Sequence, residues 1–276
     1  MLEPEVIYKN EDFLVLNKPA GMLVHTANLK FKNPFSSNAT VGRQDEKLRW
    51  PTLTGWLIEK YPEVKKVGDN PEERPGIVHR LDKDTSGVMV VARNQRTFEY
   101  LKKLFSGGSA RLLGGRGSSF IGQASILKIY LALVYGKVKN EKGIIDKPIG
   151  IKPGTIKRTI FSDKMKKEAV TEYKLVSSIK YQVSSLGKEK NGQDFSLLEV
   201  RPRTGRTHQI RVHLASIGHQ IVNDPIYASK KEKIGNGRLM LHAKVLEFTA
   251  EDGRRMRFEA EPPEDFRENL DLGYRT

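Results

Sequence analysis

Short runs of β-favouring residues, separated by polar clusters, dominate the chain, and only a few stretches repeat with a helical period. Val6-Ile7-Tyr8 and Phe13-Leu14-Val15-Leu16 flank the polar cluster Lys9-Asn10-Glu11-Asp12, which predicts a hairpin. Asn17-Lys18-Pro19-Ala20-Gly21 ends the second strand. Thr52–Tyr61 carries Leu53, Trp56, Leu57 and Tyr61 on one side, with Thr52 placed to cap a helix. Val88–Ala92 is a continuous apolar run, the pattern of a strand buried on both faces. Asn94 then caps a helix over about 95–105, with Phe98, Leu101 and Phe105 in period. Further strands are predicted at Tyr130–Tyr135, Ala169–Val176, Phe195–Arg201, Leu241–Phe248 and Met256–Ala260. Between them, Thr207–Ile217 has a helical face of Ile210, Leu214 and Ile217, a cap in Thr207 and a stop in Gly218. Strands outnumber helices and do not alternate with them. The fold class expected is therefore α+β, a mainly antiparallel mixed sheet flanked by helices.

Two stretches break the pattern. Residues 26–51 are polar and irregular, and Ser106–Ser125 is a Gly-, Ser- and Arg-rich basic loop. Composition adds one strong statement: the formal net charge is +15 over 276 residues, with a pI near 9.8. The usual partner of such a surface is a polyanion, with an acidic membrane surface as the second possibility. The absence of cysteine excludes disulfides, thiolate metal sites and a Cys nucleophile. No apolar run approaches the ~20 residues that span a bilayer. The N-terminal Met1-Leu2-Glu3-Pro4-Glu5 has neither the basic nor the apolar region of a secretory signal, so a cytoplasmic location is expected.

Two constellations carry candidate chemistry. In His79-Arg80-Leu81-Asp82-Lys83-Asp84-Thr85-Ser86-Gly87, positive neighbours hold Asp82 ionised, fit to be a nucleophile or a general base. The same residues are also good turn formers. Asp82-Lys83-Asp84 imitates the Asp-x-Asp motif of Mg²⁺-dependent phosphatases as well, but that chemistry needs further carboxylates downstream, and Asn223-Asp224-Pro225 supplies only one. The second constellation is Arg201–His213, with four Arg and two His at a strand-to-helix junction. A helix N-terminus favours anions, and Arg206 there makes a phosphate or carboxylate site, with Asp82 as an internal candidate partner. His208 and His213 do not share a helix face, and with no cysteine to complete a set they read as polar contacts and not as zinc ligands. Gly114-Gly115-Arg116-Gly117 is a short, weak match to nucleic-acid-clamping loops.

These segments together resemble the RluA-type pseudouridine synthases. The resemblance is carried by Asn17-Lys18-Pro19-Ala20-Gly21, His79–Gly87, Lys128-Ile129-Tyr130, Thr204–Leu214, Gly218–Pro225 and Leu241-His242-Ala243, in the same order along the chain. It implies isomerisation of uridine to pseudouridine in ribosomal or transfer RNA, with no metal and no cofactor. By the same resemblance Asp82 is the catalytic carboxylate. Tyr130 stacks on the target base, and Arg206 pairs with Asp82. Ile210 packs in the site, and Arg80 reaches toward the space the flipped base leaves. His79, Thr85, Lys18, His208 and Arg211 join the substrate-binding set; Arg111 and Arg116 belong to the basic loop, which the resemblance does not cover, and are expected to contact RNA phosphate. A single carboxylate suits a reaction that activates no water, whereas glycosidases use two. A uridine in folded RNA must first be extruded, at a cost of a few kcal/mol.

The chain is expected to be one catalytic domain, residues 1–276, without the S4-like domain that often precedes it in the family, and with unusual insertions at about 26–51 and 106–127. A monomer with no obligate protein partner and no membrane association is expected. Two alternatives remain at this level: a basic RNA-binding or assembly factor without catalysis, and the Mg²⁺-dependent phosphatase.

Overall fold

The computed structural model describes residues 3–25, 52–106, 126–155, 157–181, 193–228, 231 and 233–271. The strands are β1 (Glu5–Lys9), β2 (Phe13–Lys18), β3 (Ser86–Ala92), β4 (Ile126–Tyr135), β5 (Lys142–Asp146), β6 (Gly150–Ile151), β7 (Arg158–Thr159), β8 (Val170–Tyr181), β9 (Gln193–Pro202), β10 (Leu241–Thr249) and β11 (Arg255–Glu259). The α-helices are α1 (Leu53–Lys60), α2 (Gln95–Phe105), α3 (Gln209–Ser216) and α4 (Glu264–Asp271). Nine strands form one sheet in the order β1-β2-β3-β10-β4-β9-β8-β5, with β11 pairing β10, while β6 and β7 pair separately. Every pairing is antiparallel except β3 with β10. The α+β, mainly antiparallel expectation therefore holds. Among the described residues no helix is long and apolar enough to cross a membrane.

Local chemistry accounts for most element boundaries. The Thr52 hydroxyl accepts the Gly55 N–H and starts α1, and the Asn94 side chain accepts the Thr97 N–H and starts α2. Lys102 and Lys103 in the last turn of α2 complement its negative end. All seven residues of β3 are buried, which explains its unbroken apolar run. The start of α3 differs from expectation. The residue before it is His208, in a left-handed conformation at φ 56°, and no side chain caps the helix, so Thr207 is not the cap. Strands β5, β6 and β7 and helix α4 were not anticipated. Their short or highly charged sequences, such as Lys142-Gly143-Ile144-Ile145-Asp146, carry little apolar period.

The apolar residues gather into two main clusters. One lies around β1–β3, α1, α2, β11 and part of β10; the other joins β4, β9, α3 and α4. Tyr130 packs against both. One register row crosses this seam: Gly87 opposes Ala243, Ala243 opposes Tyr130, and Tyr130 opposes Val200. A side chain at Gly87 would put its Cβ 2.1 Å from the Ala243 carbonyl oxygen, and Gly87 sits at φ 116°, so only glycine allows β3 to dock there. That docking delivers the 79–86 segment, at the start of β3, to the same place as the N-terminus of α3.

Candidate active site

A cavity of about 320 Å³ opens at this seam, lined by residues 77–82 and 85, by Lys128 and Tyr130 of β4, and by residues 204–211. Its volume lies at the small end of the ~300–1,000 Å³ usual for ligand pockets. Asp82, Tyr130 and Arg206 all line it, as do Arg80, His79, Thr85, Ile210, His208 and Arg211. Ile210 is buried in its wall, as expected. Arg111 and Arg116 lie outside the described residues.

The guanidinium on Asp82 belongs to Arg211 and not, as the resemblance implied, to Arg206. Arg211 Nη1 donates to Asp82 Oδ2 at 2.9 Å. Arg206 is exposed and its Nε donates to the Glu168 carbonyl at 2.9 Å. The reason lies in the helix: Arg211 is inside α3 and buried, whereas Arg206 lies three residues before its first turn.

Arg211 is itself held from behind. Its Nε and Nη2 donate to Oδ2 and Oδ1 of Asp224 at 2.7 and 2.8 Å, a bidentate fork. Asp224 Oδ1 also accepts the Ile226 and Tyr227 N–H groups. Burial works against the Asp224 carboxylate, but the Arg211 hydrogen bonds and charge and these two N–H groups hold it below its ordinary range. On sequence grounds Tyr227 had no role, and Asp224 figured only as the lone downstream carboxylate of the phosphatase alternative and within the Gly218–Pro225 segment of the resemblance. The only signal was Asn223-Asp224-Pro225, and nothing in it links residue 224 to residue 211.

Tyr227 completes the frame. Its ring lies 5.4 Å from the Arg211 guanidinium carbon, and its hydroxyl accepts the Arg158 N–H at 3.2 Å. Its own proton can then go to His208 Nδ1, 3.0 Å away, which leaves the His208 N–H on Nε2, 3.8 Å from Asp82 Oδ2. Burial lowers the His208 pKa although Asp82 pulls the other way, so the imidazole stays neutral. The strained backbone at His208 is stabilised by the next residue. Gln209 Oε1 accepts the Thr204 hydroxyl and the Arg206 N–H, and its amide donates to the Val170 carbonyl and the Thr171 hydroxyl.

Burial and the charge of Asp82 push the Tyr130 hydroxyl well above its ordinary value of 10.0, so its ring is a neutral phenol at working pH. Lys128 lines the same cavity, its ammonium lowered to about 8 by burial. Two other expected contacts are engaged within the protein. Lys18 is fully buried, and its ammonium donates to the carbonyls of Pro19, Met22 and Lys83 at 2.8, 2.9 and 3.0 Å. Lys18 is therefore a tether under the Asp82 loop and not a surface contact. His79 Nε2 accepts the Val90 N–H, and the ring stacks on Phe105 at 4.1 Å, which makes it part of the cavity wall. His213 bonds Thr171 and the Lys147 carbonyl, consistent with a polar contact. Among the described residues no group of three or more His, Asp or Glu could hold a metal ion. Both oxygens of Asp224, the carboxylate a phosphatase would need beside Asp82 and Asp84, face Arg211.

The fold and this site define a class. Residues 12–216 match the family model of RNA pseudouridylate synthases, and the chain belongs to that family. It is an RNA pseudouridine synthase, an isomerase acting on RNA. It is 34% identical over 271 residues to an uncharacterized RNA pseudouridine synthase of Aquifex aeolicus, covering 95% of this chain and 70% of that protein. It is 33% identical over 270 residues to the ribosomal large subunit pseudouridine synthase D of Zymomonas mobilis, again covering 95% and 70%. The solved structure of human RNA pseudouridylate synthase domain containing 4 shares the fold at TM-score 0.62 and 21% identity, covering 98% of this chain and 92% of that one.

Proposed function

We infer that this enzyme isomerises uridine in large-subunit ribosomal RNA, with Asp82 as its catalytic carboxylate. The observation that carries this reading is the Asp82 anion, 18% exposed, fixed by Arg211 inside a cavity it shares with the neutral phenol of Tyr130. In the reaction the bond from ribose C1′ to uracil N1 breaks, the base turns, and C5 bonds to C1′ while its proton leaves and N1 gains one. The Asp82 carboxylate either attacks C1′ directly or removes a sugar proton to form a glycal. Both routes use the same anion and neither needs an activated water. Arg211, through its hydrogen bond to Oδ2, keeps the carboxylate aimed into the cavity. Tyr130 supplies an aromatic face that replaces stacking lost when the base leaves the RNA. The basic surface offsets part of the extrusion cost through phosphate contacts.

The ribosomal target is supported by the name of the Zymomonas mobilis relative and of a second relative, the ribosomal large subunit pseudouridine synthase D of Pseudomonas aeruginosa, 33% identical over 278 residues. The test is pseudouridine mapping of large-subunit RNA incubated with wild type and with Asp82→Asn. Wild type is expected to convert a defined uridine, and Asp82→Asn to bind the same RNA without converting it. Wild-type turnover by Asp82→Asn would overturn the role of Asp82. Conversion of transfer RNA alone would overturn the ribosomal assignment.

A further inference from the structure

Along the cavity wall from Asp82, Arg80 converges with two groups to which no role has been given, His25 and Arg74. His25 follows the point where Leu23 bridges Thr52 at the start of α1, and Arg74 sits in the turn that leads into Gly76. Arg80 is two residues before Asp82, and all three line the cavity. His25 is 9% exposed, and its Nδ1 is buried with no hydrogen-bond partner among the described residues. Such an orphaned polar atom is costly, and a ligand that reaches it would relieve that cost. Arg74 and Arg80 are exposed, and no carboxylate among the described residues pairs with either. Burial, then the charges of Arg80 and Arg74, push the imidazole of His25 down to about 4. The two guanidiniums line the same cavity as this ring, and their charges bear on it. Like charges gathered without a counter-ion are unfavourable until an anion joins them.

We propose that His25 and Arg74, with Arg80 at their edge, form a phosphate subsite that holds the phosphodiester flanking the extruded uridine. A guanidinium presents a planar fork that matches phosphate oxygens, and a neutral imidazole N–H adds a directional donor. The position suits the task. Arg80 and Asp82 are separated by two residues, at most about 7 Å of chain. A ribose whose C1′ faces Asp82 has its own phosphates only a few bonds away. The subsite would fix where the sugar stops, so that Asp82 meets C1′ in register. It presupposes an RNA substrate, as the isomerase reading does.

Arg74→Gln and His25→Phe separate the two contributions. Both are compared with wild type and with Arg96→Gln, which removes one charge at an ion pair with Glu251. The probe is transcribed large-subunit ribosomal RNA, bound to filters between about 50 and 200 mM salt. Arg74→Gln is expected to bind roughly tenfold more weakly, with the slope of log affinity against log salt reduced by about 1. His25→Phe is expected to bind more weakly with the slope unchanged, because a neutral donor releases no counter-ion. Arg74 is exposed, so its variant folds whether or not His25→Phe does. Wild-type affinity and slope in Arg74→Gln, or weaker binding with no change of slope, would overturn the subsite. Pseudouridine formation by wild type in the same RNA is scored separately. Loss of slope in Arg74→Gln with no wild-type conversion of this RNA overturns the large-subunit assignment and leaves the subsite standing. Conversion by wild type with no effect of Arg74→Gln does the reverse.

Discussion

Asp224→Asn changes one atom that never meets the substrate, and its effect can be worked out from the hydrogen bonds. The carboxylate accepts two bonds from Arg211, one on each oxygen, and two backbone N–H groups on Oδ1. An amide has one oxygen and one NH₂ group. With NH₂ at the Oδ2 position, it faces the Arg211 Nε–H. With NH₂ at the Oδ1 position, it faces the Arg211 Nη2–H and the N–H groups of Ile226 and Tyr227. Either orientation sets donor against donor. The guanidinium is 5% exposed and the carboxylate 0%, so water cannot repair the mismatch. Breaking a buried pair of this kind costs about 3–5 kcal/mol. At roughly 2–4 °C per kcal/mol for a protein near this size, the melting midpoint should fall by about 10 °C. Freed from its rear anchor, Arg211 no longer aims Asp82. A displacement of the order of 1 Å is enough for a ~100-fold loss of turnover. The assays are calorimetry and tritium release from RNA labelled at uridine C5, run well below both midpoints so that unfolding does not mimic loss of aim. The stabilisation also has a pH signature. The folded carboxyl lies below its ordinary 3.8, so its contribution is complete above that value and lost only as pH falls through the lower folded value. The Asn variant should lack that acid-side loss. An Asp224→Asn protein that melts with wild type and turns over at the wild-type rate would refute the account of Arg211 as a rigid link between two carboxylates.

Lys18→Met tests the tether under the Asp82 loop. Relief from burying an ammonium, whose pKa burial lowers to about 7, offsets much of the lost hydrogen bonding. The melting midpoint should therefore move little, whereas turnover should fall roughly tenfold or more as the Lys83 backbone loosens beside Asp82. The salt slope of RNA binding should not change, and a reduced slope would mean that Lys18 does reach phosphate. His242 is fully buried, and its pKa is lowered from 6.5 to about 4, mainly by burial. Between those values the unfolded chain takes up a proton the folded one refuses, so stability falls on acidification by up to about 1.4 kcal/mol per pH unit. His242→Gln should remove that share of the slope between about pH 5 and 6 in urea titrations, and an unaltered slope would contradict it.

The apolar periods and caps along the chain already determine most of the elements. The Val88–Ala92 run, the Thr52 and Asn94 caps and the β1–β2 hairpin depend on neighbours within a few residues, so local sequence reports them. The motif order likewise marked Asp82, Tyr130 and the Arg-rich start of α3 as one site. The resemblance implies Arg206 as the guanidinium serving Asp82, although chemistry alone does not separate Arg206 from Arg211. Burial inside α3 and the fork on Asp224 settle that in favour of Arg211. Lys18 was equally ambiguous, because a lysine in a basic protein looks solvent-facing until three carbonyls close over it. Asp224, Tyr227 and His25 acquire meaning only when β3 docks on β10 and brings segments far apart in sequence to one seam. Hydrogen bonds and ion pairs are set by distances of a few ångströms, and for pairs this far apart along the chain only tertiary packing determines those distances.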